Sequence, residues 1–325
     1  MTALRLFGDV EYRLEHYKAA EDAYNAVLAV DPSNKDVLNR LGGVYAAEDR
    51  FNDATGAFRR SLPSSEGFLN LVQAFEDAGR LGDLEGEQQA EETRHPFEAW
   101  SHLNLGIVLT AEKKYDQALG QLRTAIEISP RSAEARNELG IVYGETGKYN
   151  EAIEQQKFAI AFDPMYAASW MNWGVELRYL YLADADENHL KTAVEKIQHA
   201  TSIKPDFAQA YENLGVVYDD LGQFTAAVEN LQHAIALDPR DRTVYQNLGV
   251  IYLDHNLYNL AEAAFIKGLA IHPRNEVLHF ALGSTYQKQR KFDLAAEQLR
   301  IALAEDPQDS RARELLNQVE AQIKH

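Results

Sequence analysis

Apolar and polar positions alternate along this chain with the period of helices, in pairs. Gln246-Asn247-Leu248-Gly249-Val250-Ile251-Tyr252 opens one apolar-periodic stretch, and Tyr258, Ala261 and Phe265 carry a second before Pro273. Glu212-Asn213-Leu214-Gly215-Val216-Val217-Tyr218 is followed in the same way by Phe224, Ala227, Leu231 and Pro239. Apolar residues three and four apart line one face of a helix, so each unit predicts two helices. Polar turn residues separate them, such as Glu145-Thr146-Gly147-Lys148 and Asp219-Asp220-Leu221-Gly222, with Gly suited to a helix end of positive φ. Asp-Pro pairs, as in Asp163-Pro164 and Asp238-Pro239, push the residue before proline out of the helical region and close the second helix.

The prolines set the period. They stand at Pro32, Pro63, Pro96, Pro130, Pro164, Pro205, Pro239, Pro273 and Pro307, so that successive spacings are 31, 33, 34, 34, 41, 34, 34 and 34. A fixed spacing of this size marks a stacked array. In register with it, Gly106, Gly140, Gly174, Gly215, Gly249 and Gly283 fall in first helices. Ala118, Ala152, Ala193, Ala227, Ala261 and Ala295 fall in second helices, where small side chains let a hairpin close. Large ones such as Leu139, Tyr143 and Tyr149 fill the space around them.

Length, Gly, Tyr, Ala and Pro recurring together closely resemble the tetratricopeptide repeat, over essentially all of residues 1–309. The resemblance implies an all-α, right-handed superhelical solenoid of nine helical hairpins, and the chain ends in a capping helix. The register places units at about 1–34, 35–64, 65–98, 99–132, 133–166, 167–207, 208–241, 242–275 and 276–309. Residues 310–325 form the cap, with Ala312, Leu315, Leu316, Val319 and Ile323 on one face and Arg313, Glu314, Gln318 and Lys324 on the other.

Two stretches break the period. The unit closed by Pro63 is short, and the unit over 65–98 has Val72 in place of Gly, with Leu84 and Gln88 where Ala and an aromatic would pack. Gly82 and Gly86 each cost about 1 kcal/mol relative to Ala if helical. Residues 65–98 therefore read either as a hinge between units 1–2, over 1–64, and units 4–9, over 99–309, or as an irregular but rigid unit. The unit ending at Pro205 has seven extra residues near 178–189. Seven residues are about two turns, so a longer hairpin keeps its phase and carries Asp184, Asp186, Glu187, Asn188 and His189 at its tip. Asp184, Asp186, Asn188 and Glu195 match the acidic positions of a calcium loop, but His189 stands where the sharp turn requires Gly. Helix capping is the reading that survives.

The chain carries 32 basic and 50 acidic side chains, a formal charge of −18. Nucleic acid draws its affinity from Lys and Arg, so it is a poor partner, and anionic membrane surfaces are disfavoured on the same ground. With no Cys there are no disulfides, thiolate metal sites or cysteine nucleophiles. The chain has neither a signal-like apolar stretch near Met1 nor a run long enough to span a bilayer, so a cytoplasmic setting is expected. There is no Gly-rich phosphate loop, no nucleophile elbow and no His pair at metal-binding helical spacing. His95 and His102 lie seven apart around Pro96, as do His272 and His279 around Pro273, which reads as a shared loop. No enzyme and no cofactor are expected.

The resemblance makes the first helix of each unit the lining of an inner groove. The residue just before the Leu-Gly pair is Asn104, Asn172, Asn213 or Asn247, with Asn70 at the equivalent place; Arg40, Glu138 and Ala281 stand there in other units. A carboxamide carries both donors and an acceptor, so such a ladder can pair with an extended peptide backbone whatever its side chains. The O-linked N-acetylglucosamine transferase has a similar ladder used on substrate backbones, and the resemblance implies that role here, without the transferase's catalytic domain. Satisfying neighbouring helix ends is the competing use. Around the ladder lie Glu138, Glu212 and Asp220 with Ile141, Val175, Val216 and Val250. Together they predict a groove for a basic peptide with apolar anchors, unless the acids are only a solvated face. Co-chaperone relatives instead place Lys two residues before Leu-Gly, and this chain never does. The expected function is a non-catalytic interaction scaffold. The alternatives are a self-associating assembly scaffold, with a homo-oligomer, and the targeting portion of a larger enzyme.

Overall fold

The computed structural model describes residues 1–62 and 65–323, and all of its described elements are helices. Pro63 and Lys324, invoked above for the second unit and the cap, lie outside the described residues. The chain divides into two compact units, Met1–Ile203 and Lys204–His325.

The first unit holds six hairpins. They are α1 (Thr2–Arg13) with α2 (Tyr17–Leu28), α3 (Lys35–Ala47) with α4 (Phe51–Ser61), and α5 (Ser65–Asp77) with α6 (Leu81–Arg94). Then come α7 (Ala99–Ala111) with α8 (Tyr115–Ile128), α9 (Ala133–Glu145) with α10 (Tyr149–Phe162), and α11 (Ala167–Asp184) with α12 (Glu187–Ile203). The second unit holds α13 (Ala208–Asp220) with α14 (Phe224–Leu237), α15 (Arg242–Asp254) with α16 (Tyr258–Ile271), and α17 (Glu276–Lys288) with α18 (Phe292–Glu305). A single helix, α19 (Ser310–Ile323), closes it.

Helix starts follow the prolines. Two residues after Pro32, Pro130, Pro239 and Pro273, the side chains of Asn34, Ser132, Asp241 and Asn275 accept a hydrogen bond from the first turn of the next helix. Within the hairpins the turn puts one residue in the left-handed region at a constant register. It is Gly at 79, 147 and 222, but Glu15, Asp49, Lys113, Asn256 and Arg290 take the same φ, between 57° and 61°. The turn geometry is thus imposed by the packed pair, and glycine only relieves it.

Close approach inside the hairpins depends on the first-helix glycines. A Cβ on Gly249 would lie 2.4 Å from the Phe265 ring, and one on Gly140 would lie 2.4 Å from the Gln156 amide. The third hairpin is the exception: Val72 is buried where the others have Gly, and α5 and α6 meet along a much shorter stretch than any other pair. In the long hairpin, α11 has 18 residues and α12 has 17, and Ala185 makes the turn at φ 58°. There Asp184 accepts from the Asp186 backbone N–H, Asp186 accepts from that of Asn188, and His189 reaches Asp184 at 3.1 Å. The acidic tip is spent on its own turn, as helix capping requires.

The histidine recurrence has a structural origin. Six residues after their prolines, His102, Trp170, Tyr245 and His279 each bond the proline carbonyl, at 3.0, 3.0, 3.1 and 3.0 Å. In His102 and His279 the other ring nitrogen meets the Oε1 of Gln121 and Gln298. A carbonyl can only accept, so a neutral ring donates from Nε2 to the proline carbonyl and needs the Gln amide turned to offer its N–H to Nδ1; in either state the ring serves as a clamp between loop and second helix.

Candidate functional site: the inner face

In both units each odd-numbered helix up to α11, and again from α13 to α19, touches the next odd one in its unit, whereas even-numbered helices have no comparable contact among themselves. The layer whose helices crowd together is the inside of a curved stack, so the odd helices carry the inner face. Their centres run Leu103-Asn104, Asn137-Glu138, Met171-Asn172, Glu212-Asn213 and Gln246-Asn247.

The Asn column is half-buried throughout. Three of its members follow one rule: the carboxamide reaches back to the residue one place earlier in the register of the preceding hairpin. Asn70 donates to Asn39 Oδ1 at 3.0 Å, Asn172 to Asn137 Oδ1 at 2.9 Å, and Asn247 to Glu212 Oε1 at 2.9 Å. Asn104 follows Leu69, which has no acceptor, and it makes no side-chain hydrogen bond among the described residues. Asn213 donates to the Gln209 carbonyl of its own helix at 2.8 Å. These bonds run to side chains of the preceding hairpin rather than to helix ends, so the amides stitch neighbouring hairpins. Among the described residues the Oδ1 of Asn70, Asn172 and Asn247 meets no donor, on side chains whose orientation the stitch has fixed.

Two of the expected groove acids are not solvated. Glu138 is 7% and Glu212 8% exposed. Burial pushes Glu138 up to about 7, with the nearby Glu134 adding to it and the hydrogen bond from Asn137 opposing it. Burial pushes Glu212 to about 8, Asp241 adds to that, and the bond from Asn247 works against it. Near neutral pH Glu212 is mostly and Glu138 about half in the carboxylic acid form, so they weaken the negative trough that their identity suggested. Asp220, Ile141, Val175 and Val216 are half-buried, and Val250 is exposed on α15.

The sequence reading missed two features. Asn137 is a hub: it accepts from Asn172 and from Ser169 Oγ, donates to Glu138, and its carbonyl takes Gln156 Nε2. The signal was the column one residue before the ladder, where Asn39, Asn137, Glu212 and Gln246 are also polar. Glu176 is the second. It is 5% exposed in the slot held by Val108, Val142, Val217 and Ile251 in other hairpins, so an acid in a Val register should have drawn notice. Burial raises it to about 8, with Glu145 adding, and its Oε2 has no hydrogen-bond partner.

Stacked hairpins with a polar column on their inner layer define an α-helical repeat protein. The chain belongs to the tetratricopeptide repeat family, whose descriptions match residues 5–67, 106–147, 133–164, 218–256 and 280–324. Cellulose synthase operon protein C of Xanthomonas axonopodis pv. citri (strain 306) is 31% identical over 113 residues, which is 31% of this chain and 7% of that protein. Among solved structures, a chain of the APC/C heterotetramer Cut9–Hcn1 matches with a TM-score of 0.66 and 19% identity, over 93% of this chain and 59% of that one. A tetratricopeptide repeat protein from Parabacteroides merdae matches at 0.56 with 17% identity, over 78% and 98%. Pseudomonas aeruginosa pilF matches at 0.54 with 20% identity, over 69% and 97%. These structural likenesses concern the fold. No described helix is long and apolar enough to cross a membrane.

Proposed function

We propose that the chain is a non-catalytic scaffold whose units each receive an extended protein segment on their own inner face, read mainly through its backbone. The observation that supports this is the set of fixed, half-buried Asn70, Asn172 and Asn247 amides, each with an oxygen that accepts nothing from the protein. A pre-oriented acceptor beside apolar Ile141 and Val175, or Val216 and Val250, gives a peptide N–H a partner without side-chain ordering cost. With much of the charge of Glu138 and Glu212 removed by burial, attraction for Lys and Arg is weakened and apolar anchors and backbone pairing carry more of the binding. Converting Asn172, Asn213 and Asn247 together to Ala should weaken partner capture in a pull-down from the source cell while the helical circular dichroism is kept. Unaltered capture rejects the reading.

Self-association has its own support in α1. Leu4, Phe7 and Val10 are about half exposed, although their register equivalents in α3, Leu38, Leu41 and Val44, are buried against α2. Two copies meeting through α1 would cover that stripe. Light scattering should then show mass rising with concentration, and Phe7→Asp with Val10→Asp should abolish the rise. A constant monomer mass in the unmodified chain removes this reading.

A further inference from the structure

We propose that the patch where α10 and α12 meet Arg136 of α9 and Trp170 and Trp173 of α11, in the fifth and sixth hairpins, is a second docking surface, one that takes an acidic protein segment carrying apolar side chains.

The surface is built from cations resting on aromatic rings. Trp170 and Trp173 of α11 stack with centroids 5.9 Å apart and planes 20° from parallel. Lys196 of α12 places its ammonium 4.5 Å from the Trp173 centroid and 5.7 Å from that of Trp170. Lys157 of α10 also reaches Trp173, at 5.1 Å from its centroid. The next residue along α10, Phe158, is 47% exposed and lies under the Arg136 guanidinium at 5.0 Å. Arg136 bonds Gln155 through Nη1 at 2.9 Å, and its buried Nε has no hydrogen-bond partner.

None of these three cations forms an ion pair among the described residues, although Glu154 and Glu195 lie on the same helices as Lys157 and Lys196. Elsewhere in this acidic chain, Arg5, Arg40, Arg50, Lys114 and Lys291 are all taken up by carboxylates. A ring face attracts a cation but does not neutralise it, and it shields one side from water. The rings thus hold the three cations in place while no carboxylate of the described residues neutralises them; Lys196 and Arg136 are half-buried and Lys157 is exposed. Such groups gain more from an incoming carboxylate than a freely solvated Lys would.

The apolar content selects the kind of anion. Phe158 and Met165, which is 66% exposed beside the Pro164 that anchors Trp170, offer surface that only apolar side chains can cover. A nucleic acid brings a dense line of phosphates and no apolar side chains to cover Phe158 and Met165. A short peptide brings a few carboxylates to the three cations and its own apolar groups to Phe158 and Met165.

The test uses the full chain and a blocked, fluorescein-labelled peptide of glutamates interspersed with phenylalanines, followed by anisotropy and by Trp emission. Saturable binding is expected, weakening with added salt and falling about tenfold or more in Lys157→Glu with Lys196→Glu. Should that variant fail to fold, Lys157→Gln with Lys196→Gln should still show a clear loss. Asn172→Ala should leave this binding unchanged, which separates the surface from the inner face. Absence of saturable binding, indifference to both double variants, or tighter binding of a single-stranded oligonucleotide than of the peptide overturns the proposal.

Discussion

Single residues in this protein carry costs that the fold has accepted. Lys113 at φ 59° and Gly147 at φ 75° occupy the same turn position in consecutive hairpins. A side chain in that region costs about 1–2 kcal/mol, so Lys113→Gly should raise the melting temperature and Gly147→Ala should lower it. Thermal melts of the pair, moving in opposite directions, test the turn argument. Glu176 and Glu212 are held with their titration raised to about 8 by burial, far above an unfolded Glu near 4.5. Between those values the folded state keeps a proton that the unfolded chain has lost, so stability falls as pH rises through that window. Each such group contributes at most about 1.4 kcal/mol per pH unit. Glu176→Gln should flatten the decline between pH 5 and 8 and be most stabilising at the alkaline end; denaturant melts at both ends measure it. An unchanged pH slope would mean that the acid is solvated after all.

Helices meet here through a small-against-large rule. Ala227 is fully buried where α14 crosses α13, and a Cβ on Gly215 would lie 2.6 Å from Leu231 and 3.1 Å from the Ala227 carbonyl. Ala227→Leu should overpack that crossing and cost roughly 1–3 kcal/mol, read as a lower denaturant midpoint. The elements were largely legible in sequence because this rule is local: Gly, Ala and Pro at fixed spacing specify two helices, their crossing and their end. The departure of the third hairpin from this rule was visible in the same way, through Val72 and Gln88. Less legible was the partner of each Asn. Asn172 and Asn137 are 35 residues apart, and nothing in either helix alone says that their amides meet.

For the whole molecule the open question is how each stack ends. Ala312 and Val319 of α19 are fully buried, while the facing hairpin contributes Leu299 to the same cluster. Ending the chain after Pro307 should expose that apolar face, lower the melting temperature and promote aggregation, since terminal repeats need a polar outer face. Size-exclusion chromatography of the shortened chain checks this, and a monomer of unchanged stability would refute it. The sequence by itself determined the helical pairs, their number and their register, because period and residue size act between neighbours along the chain. Only the tertiary structure decided which polar side chains are buried: Glu138 and Glu212 read as groove charges until stacking removed their water, and Glu176 drew no attention until it was found in a Val slot. Desolvation depends on what the next hairpin brings over a residue, and that is not written at the residue's own position.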